Sequence, residues 1–183
     1  MSIVSVELPR VSTILGVLDD AYAGVPQSTL DTAAKRGEAL HQLCLGYLGF
    51  VGGLCREPIP TPNYLNAYNA FVEWVNEREA VPVAIEQQSE NVQYGYMGTP
   101  DALIEIGIDH YIIDLKFTAS ILRINKVQIQ AYRKLDLYKT AKKAMLLHIH
   151  PITGELKQHT IPNNPHDWAA FVNALSIWKW RQL

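Results

Sequence analysis

Few folds can accommodate residues 98–116, GTPDALIEIGIDHYIIDLK. The segment reads as two strands joined by a tight connection, with an acid on the first and Asp-x-Lys on the second. Asp101 follows Pro100 at a strand entry. Asp114 and Lys116 are two residues apart, so in a strand they point to the same face of the sheet. Tyr111, Ile112, Ile113, Leu115 and Phe117 surround Asp114, a composition that predicts burial. A buried carboxylate is costly unless it is paired or coordinates a metal. The segment therefore calls for a cation, and a metal is a candidate beside Lys116.

The chain has 183 residues, enough for one domain with a substantial core. Its 48% hydrophobic and 19% charged residues suit a soluble globular protein. No stretch has the length and apolarity of a membrane span, and the opening MSIVSVELPR lacks a signal-peptide pattern. A cytoplasmic location with no membrane partner is expected. Two cysteines, Cys44 and Cys55, suit a reducing compartment and are too few for an iron–sulfur cluster or zinc ribbon on this chain alone.

A net charge of −2 argues against a non-specific nucleic-acid coat. Its distribution says more. Between Ser120 and Lys143, Arg123, Lys126, Arg133, Lys134, Lys139, Lys142 and Lys143 face only Asp136, which gives +6 there and −8 elsewhere. A basic segment on an acidic body suggests a docking site for a polyanion, although a solvated helix face has the same composition.

In chain order, Leu8-Pro9 followed by Val11, Ile14, Leu15 and Leu18 predicts a short amphipathic helix capped near Ser12. Gly24–Thr29 reads as a loop. A longer helix is expected from Asp31, as N-cap, to Leu48, with Ala34, Gly37, Leu40, His41, Cys44, Leu45 and Leu48 on one stripe. That stripe points His41 inward, and Gly37 would let the helix approach another element closely. Gly49–Pro60 should be a loop. Thr61-Pro62 starts a helix burying Leu65, Tyr68, Phe71, Val72 and Val75.

Three strands follow in an antiparallel meander: 81–88, 96–106 and 111–118, with a turn near 91–95. Glu86, Asp101 and Asp114 can meet at one end of it. After Ser120 a helix is expected with Val127, Gln128, Ala131, Tyr132, Leu135 and Tyr138 inward, and with Gln130, Arg133, Lys134 and Lys142 facing elsewhere. A strand pair spans 143–150 and 155–161, and a last helix starts at Asn164-Pro165. The fold class is α/β, a central mixed sheet flanked by helices in a single domain over residues 1–183.

Phosphodiester hydrolysis needs a divalent cation, an activated water and alignment. Hard cations such as Mg2+ take oxygen ligands, which acids on adjacent strands supply. Lys116, two residues beyond such an acid, can orient the attacking water. His41 can complete the metal's shell if its helix packs over the strands, and Gln128 can bind phosphate or water. Bland readings compete: His41 as a core histidine beside Cys44, Glu90 as a rival to Glu86, and His148 and His150 as ordinary strand residues.

Taken together, GTPD, IDLK, the preceding Glu86 and the QIQAY of Gln128 to Tyr132 resemble the PD-(D/E)XK nuclease superfamily, most nearly its RecB-like and phage-type exonuclease branch. AAKRGEALH resembles that branch's first motif, a glycine one turn before a metal-facing histidine, here Gly37 and His41. The opening LPRVSTIL and closing DWAAFVNALSIWKW are also similar to phage-encoded members.

The resemblance implies a restriction-endonuclease-like core and an Mg2+- or Mn2+-dependent DNA exonuclease. Asp101 and Asp114 would be metal-binding acids, Lys116 the water-activating lysine, His41 a further ligand and Glu86 an assisting acid. Gln128 matches the family's helix glutamine. Arg123, Lys126, Arg133 and Lys134 would contact DNA. The implied setting is a phage- or prophage-encoded protein in a bacterial host, acting on single- or double-stranded DNA ends in recombination, repair or replication. Its partners would include a recombination or single-strand-binding protein and further copies of itself. A structure-selective endonuclease and a silent DNA-binding module with the same fold remain open alternatives.

Overall fold

The computed structural model describes residues 8–18 and 26–183. Its centre is a five-stranded sheet in the order β1-β4-β5-β6-β7, with β1 Val81–Ile85, β4 Ala102–Ile106, β5 Asp109–Lys116, β6 Lys143–Ile149 and β7 Leu156–Thr160. Only β5 and β6 run parallel, which makes the sheet mixed. The parallel pair requires a crossover, and α4, Arg123–Tyr132, provides it. The expected meander is present, but β2, Ser89–Asn91, and β3, Tyr96–Gly98, form a separate hairpin inside it. The break falls at Thr99-Pro100, where a proline removes a ladder donor.

Helices cover both faces. On one lie α2, Gln27–Val51, and α3, Leu65–Glu77, whose Leu40, Leu48, Phe71 and Trp74 pack on Ile104, Ile113, Leu115 and Leu147. On the other lie α1, Val11–Leu15, with α4 and α5, Pro165–Trp180, packing Ile14, Ile129 and Phe171 on Leu103, Ile112 and Leu146. Alternation along β5 supplies both cores, Ile112 to one and Ile113 to the other. Asn164 caps α5, its Oδ1 accepting from the His166 N–H at 2.9 Å, with Pro165 in the first turn, as the sequence predicts.

Several expectations need correcting. Gly24 and Val25 lie outside the described residues, and α2 is already helical at Gln27, so Asp31 is not a cap. It accepts a hydrogen bond from Gln27 Nε2 at 2.8 Å instead. The helix also continues through Gly49 to Val51. Ala34 is exposed, and an added Cβ at Gly37 would meet nothing within 4 Å. The close approaches fall at Gly46 and Gly49, where a Cβ would sit 2.9 Å from Pro58 and 3.0 Å from the Cys55 sulfur. In α3, Leu65 is exposed and Trp74 takes its place in the core.

The helix α4 ends at Tyr132, short of Leu135 and Tyr138 at the end of its predicted stripe. More residues of this segment turn inward than helical spacing predicts. Gln130 is fully buried, donating through Nε2 to the Pro162 carbonyl and accepting through Oε1 from the Asn164 N–H. Arg133 is buried as well, its guanidinium donating to the carbonyls of Lys142 and Ile161 at 2.8 and 2.6 Å. A guanidinium committed to internal carbonyls is not presented to DNA, so Arg133 leaves the set of expected DNA contacts.

Candidate active site

The acids gather where three neighbouring strands end. Ala102 pairs with Ile85 on one side and Ile113 on the other, so Glu86, Asp101 and Asp114 stand one position beyond that row. Backbone bonding keeps the row together: the Glu86 N–H donates to the Asp101 carbonyl at 2.9 Å. Glu86 reaches this position with φ 45°, in the left-handed region that side chains other than glycine's rarely adopt.

Asp114 is 1% exposed and Asp101 8%. The Asp101 Oδ2 accepts from the Leu115 N–H at 2.6 Å and lies 2.7 Å from the Nε2 of His41 on α2. Sequence spacing gives no sign of that backbone donor. The His41 ring meets Phe117 edge-on at 6.3 Å between centroids. Burial alone would depress the His41 pKa, but the hydrogen bond and charge of Asp101, with Asp114 and Glu86 behind it, raise it overall.

Lys116 Nζ lies 2.6 Å from Asp114 Oδ2 and donates to Gln128 Oε1 at 3.0 Å. The contact with Asp114 is an ion pair. Gln128 Nε2 in turn donates to the Tyr132 hydroxyl oxygen at 2.9 Å, so i, i+4 spacing on α4 ties the helix to the lysine. Burial pushes the Asp114 carboxyl up to about 6, with the nearby Asp101 charge adding and Lys116 and His41 opposing. Burial, then Asp114 and Asp101, also raise the Tyr132 phenol, which keeps it protonated.

The corner opens onto a cleft of about 960 Å³ between the first half of α2 and the strand ends. His41, Glu86 and Lys116 sit on its wall, together with Leu30, Ala33 and Ile152. Arg36 lines it too, its Nε buried without a hydrogen-bond partner, and no motif in the sequence marks it. Glu90 lies on β2 and is exposed, away from this wall. His148 is occupied by the Thr118 carbonyl at 2.6 Å, and His150 Nδ1 accepts from the Thr153 N–H at 3.1 Å.

The donor chemistry fits a hard divalent cation: two buried carboxylates, a third at the cleft wall, and an Asp114 oxygen without an aligned hydrogen bond. Yet among the described residues no group of three or more His, Cys, Asp or Glu side chains converges closely enough to hold one. Asp101 is turned to His41 and Asp114 to Lys116. Loading would therefore require these two pairs to loosen.

The outward residues of α4 are less gathered. Arg123 stands 3.9 Å from Asp167, Lys126 is exposed near the start of the helix, and Lys134 lies over the Trp168 ring at 5.8 Å.

No protein-family model matches this chain, and no curated protein matches it by sequence. Solved structures do. An alkaline exonuclease from Laribacter hongkongensis, LHK-Exo, superposes with a TM-score of 0.54 at 11% identity, over 96% of this chain and 87% of that one. The same exonuclease in complex with dAMP gives 0.53 at 12% identity, with the same coverage. SSO0001 is 20% identical over 61% of this chain, which spans only 55% of it, and its TM-score of 0.43 carries no argument. At such identities the likeness is one of fold: the mixed sheet flanked by helices is shared with the exonuclease. Among the described residues no helix is long and apolar enough to cross a membrane.

Proposed function

We propose that the chain is a divalent-metal-dependent deoxyribonuclease acting on DNA ends. The observation that carries the reading is the buried Asp114 beside Lys116, with Asp101 and His41 in the same corner at the wall of a wide cleft. The shared fold with an alkaline exonuclease supports it.

Asp101 and Asp114, with His41 and Glu86, would hold Mg2+ or Mn2+. The cation, when bound, would neutralise charge on the scissile phosphate and lower the pKa of water. In hydrolysis the water oxygen bonds to phosphorus while the bond to the leaving sugar oxygen breaks. Lys116 Nζ is placed to orient that water and to stabilise charge developing on the phosphate. Gln128 and Tyr132 hold the lysine in register. The proposed setting is phage-type recombination, repair or replication.

The test is a time course on end-labelled linear and circular DNA with Mg2+ or Mn2+. Mono- or oligonucleotides released from linear DNA alone, and lost in Lys116→Ala, support an exonuclease. Cutting of circles would favour the endonuclease alternative. Intact DNA under both metals would sink the enzymatic reading. One observation keeps a silent DNA-binding module in view: no three donors converge among the described residues. Calorimetric titration with Mn2+ separates the two, because an enzyme should bind the ion in wild type and lose it in Asp114→Asn.

A further inference from the structure

The segment 123–143 supplies seven of the sixteen lysines and arginines in the sequence, but the fold spends much of that charge. Arg133 is internal, Arg123 faces Asp167, Lys139 lies 3.3 Å from Asp136, and Lys143 lies 2.6 Å from Asp109. A different basic row emerges from strand register. Lys116 on β5 pairs with His148 on β6, and His148 pairs with Lys157 on β7. Side chains of directly paired residues share a face, so the three point to the side that α4 covers. His159 joins the row through its partner Leu146, which is paired with Asp114.

The second core places Lys126 over the same patch. Gln130 is anchored to Pro162, just beyond β7, and Lys126 lies one turn earlier on that face of α4. The His159 pKa is lowered by burial, then by His148, Lys126 and Lys157, as expected if these side chains gather around it. Its Nε2 is buried without a hydrogen-bond partner. Two acids face the row: Asp114, 2.6 Å from Lys116, and Glu155, 2.8 Å from Lys157 with both of the latter side chains well exposed.

We infer that Lys116, Lys157 and Lys126, with the His148 and His159 rings between them, form a phosphate track that carries one DNA strand from the site of cleavage across β6 to the β7 edge. The row spans two strand spacings, about 10 Å. A row of that length suits a few successive phosphates of one strand. The inference rests on the nuclease reading for which end of the row is the cutting site.

The experiment measures anisotropy of a short fluorescein-labelled single strand in chelating buffer, titrated over about 50–200 mM salt. Lys126→Ala/Lys157→Ala should weaken binding and flatten the dependence of log K on log salt by about 1.4, at about 0.7 per lost contact. Glu155→Gln should tighten binding by freeing Lys157. Lys139→Ala/Lys142→Ala should leave the slope unchanged. A wild-type slope in the Lys126/Lys157 variant, or an equal loss in the Lys139/Lys142 variant, overturns the track. Parallel cleavage assays keep the two readings apart. A wild type that binds along the row without cutting removes the nuclease but keeps the track. A Lys126/Lys157 variant that binds and cuts normally removes the track alone.

Discussion

Asp114 is held in a place that costs stability. Its carboxyl, ordinarily at 3.8, is pushed up to about 6 by burial. A group whose folded pKa is raised contributes fully below the unfolded value and loses that contribution as pH rises through the folded one. The penalty is therefore absent near pH 4 and complete by pH 7. In chelating buffer Asp114→Asn should melt a few degrees above wild type at pH 7, at about 2–4 °C per kcal/mol for a chain this size. The gap should close by pH 4, and calorimetry across that range checks it. The same variant should lose cleavage, the exchange of stability for function common at active sites. Lys116→Ala should lower kcat by about 10²–10³, the usual loss for a group that stabilises transition-state charge, as read by single-turnover kinetics.

At the scale of elements, two glycines behave in opposite ways. Gly37 lies mid-helix on α2 with open space around its Cβ position. Its substitution by alanine removes only backbone entropy, so Gly37→Ala should raise stability by about 0.5–1 kcal/mol, read as Tm. Gly98 ends β3, where a Cβ would lie 3.0 Å from both Tyr132 and Val11 and 3.1 Å from Leu135. Gly98→Ala should cost about 1–3 kcal/mol by overpacking. It should also disturb the Tyr132–Gln128–Lys116 chain, so a drop in kcat beyond the loss in folded fraction is expected. Helical spacing predicted a close neighbour at Gly37 because it registers which face a residue occupies. It does not register whether another element extends that far. The first half of α2 overhangs the cleft, so its inward face meets space.

Across the whole molecule, Arg133 links the end of α4 to the start of β6 and the end of β7 through two carbonyls. Hydrogen bonds to a charged group contribute about 1.5–3 kcal/mol each when buried. Arg133→Ala should therefore lower Tm by several degrees, whereas Lys134→Ala, on the exposed side, should leave it unchanged. A differential scan of the two separates a structural arginine from a DNA-contacting one.

The alternation of 109–116, the acid-lysine spacing and the punctuation at Asn164-Pro165 were legible in the sequence because each depends on neighbours two to four residues away. They determined the mixed sheet with helices on both faces, the burial of Asp114, and the common location of His41, Asp101, Lys116 and Gln128. Contacts between distant segments followed no such period. The inward turn of Gln130 and Arg133 was decided by carbonyls near 142 and 161–164, and the Leu115 N–H reaches Asp101 across a hairpin. The tertiary structure also decided that Asp114 faces Lys116 and Asp101 faces His41, instead of the acids converging together. A local repeat specifies which side of an element is buried. Only packing in three dimensions specifies what it meets there.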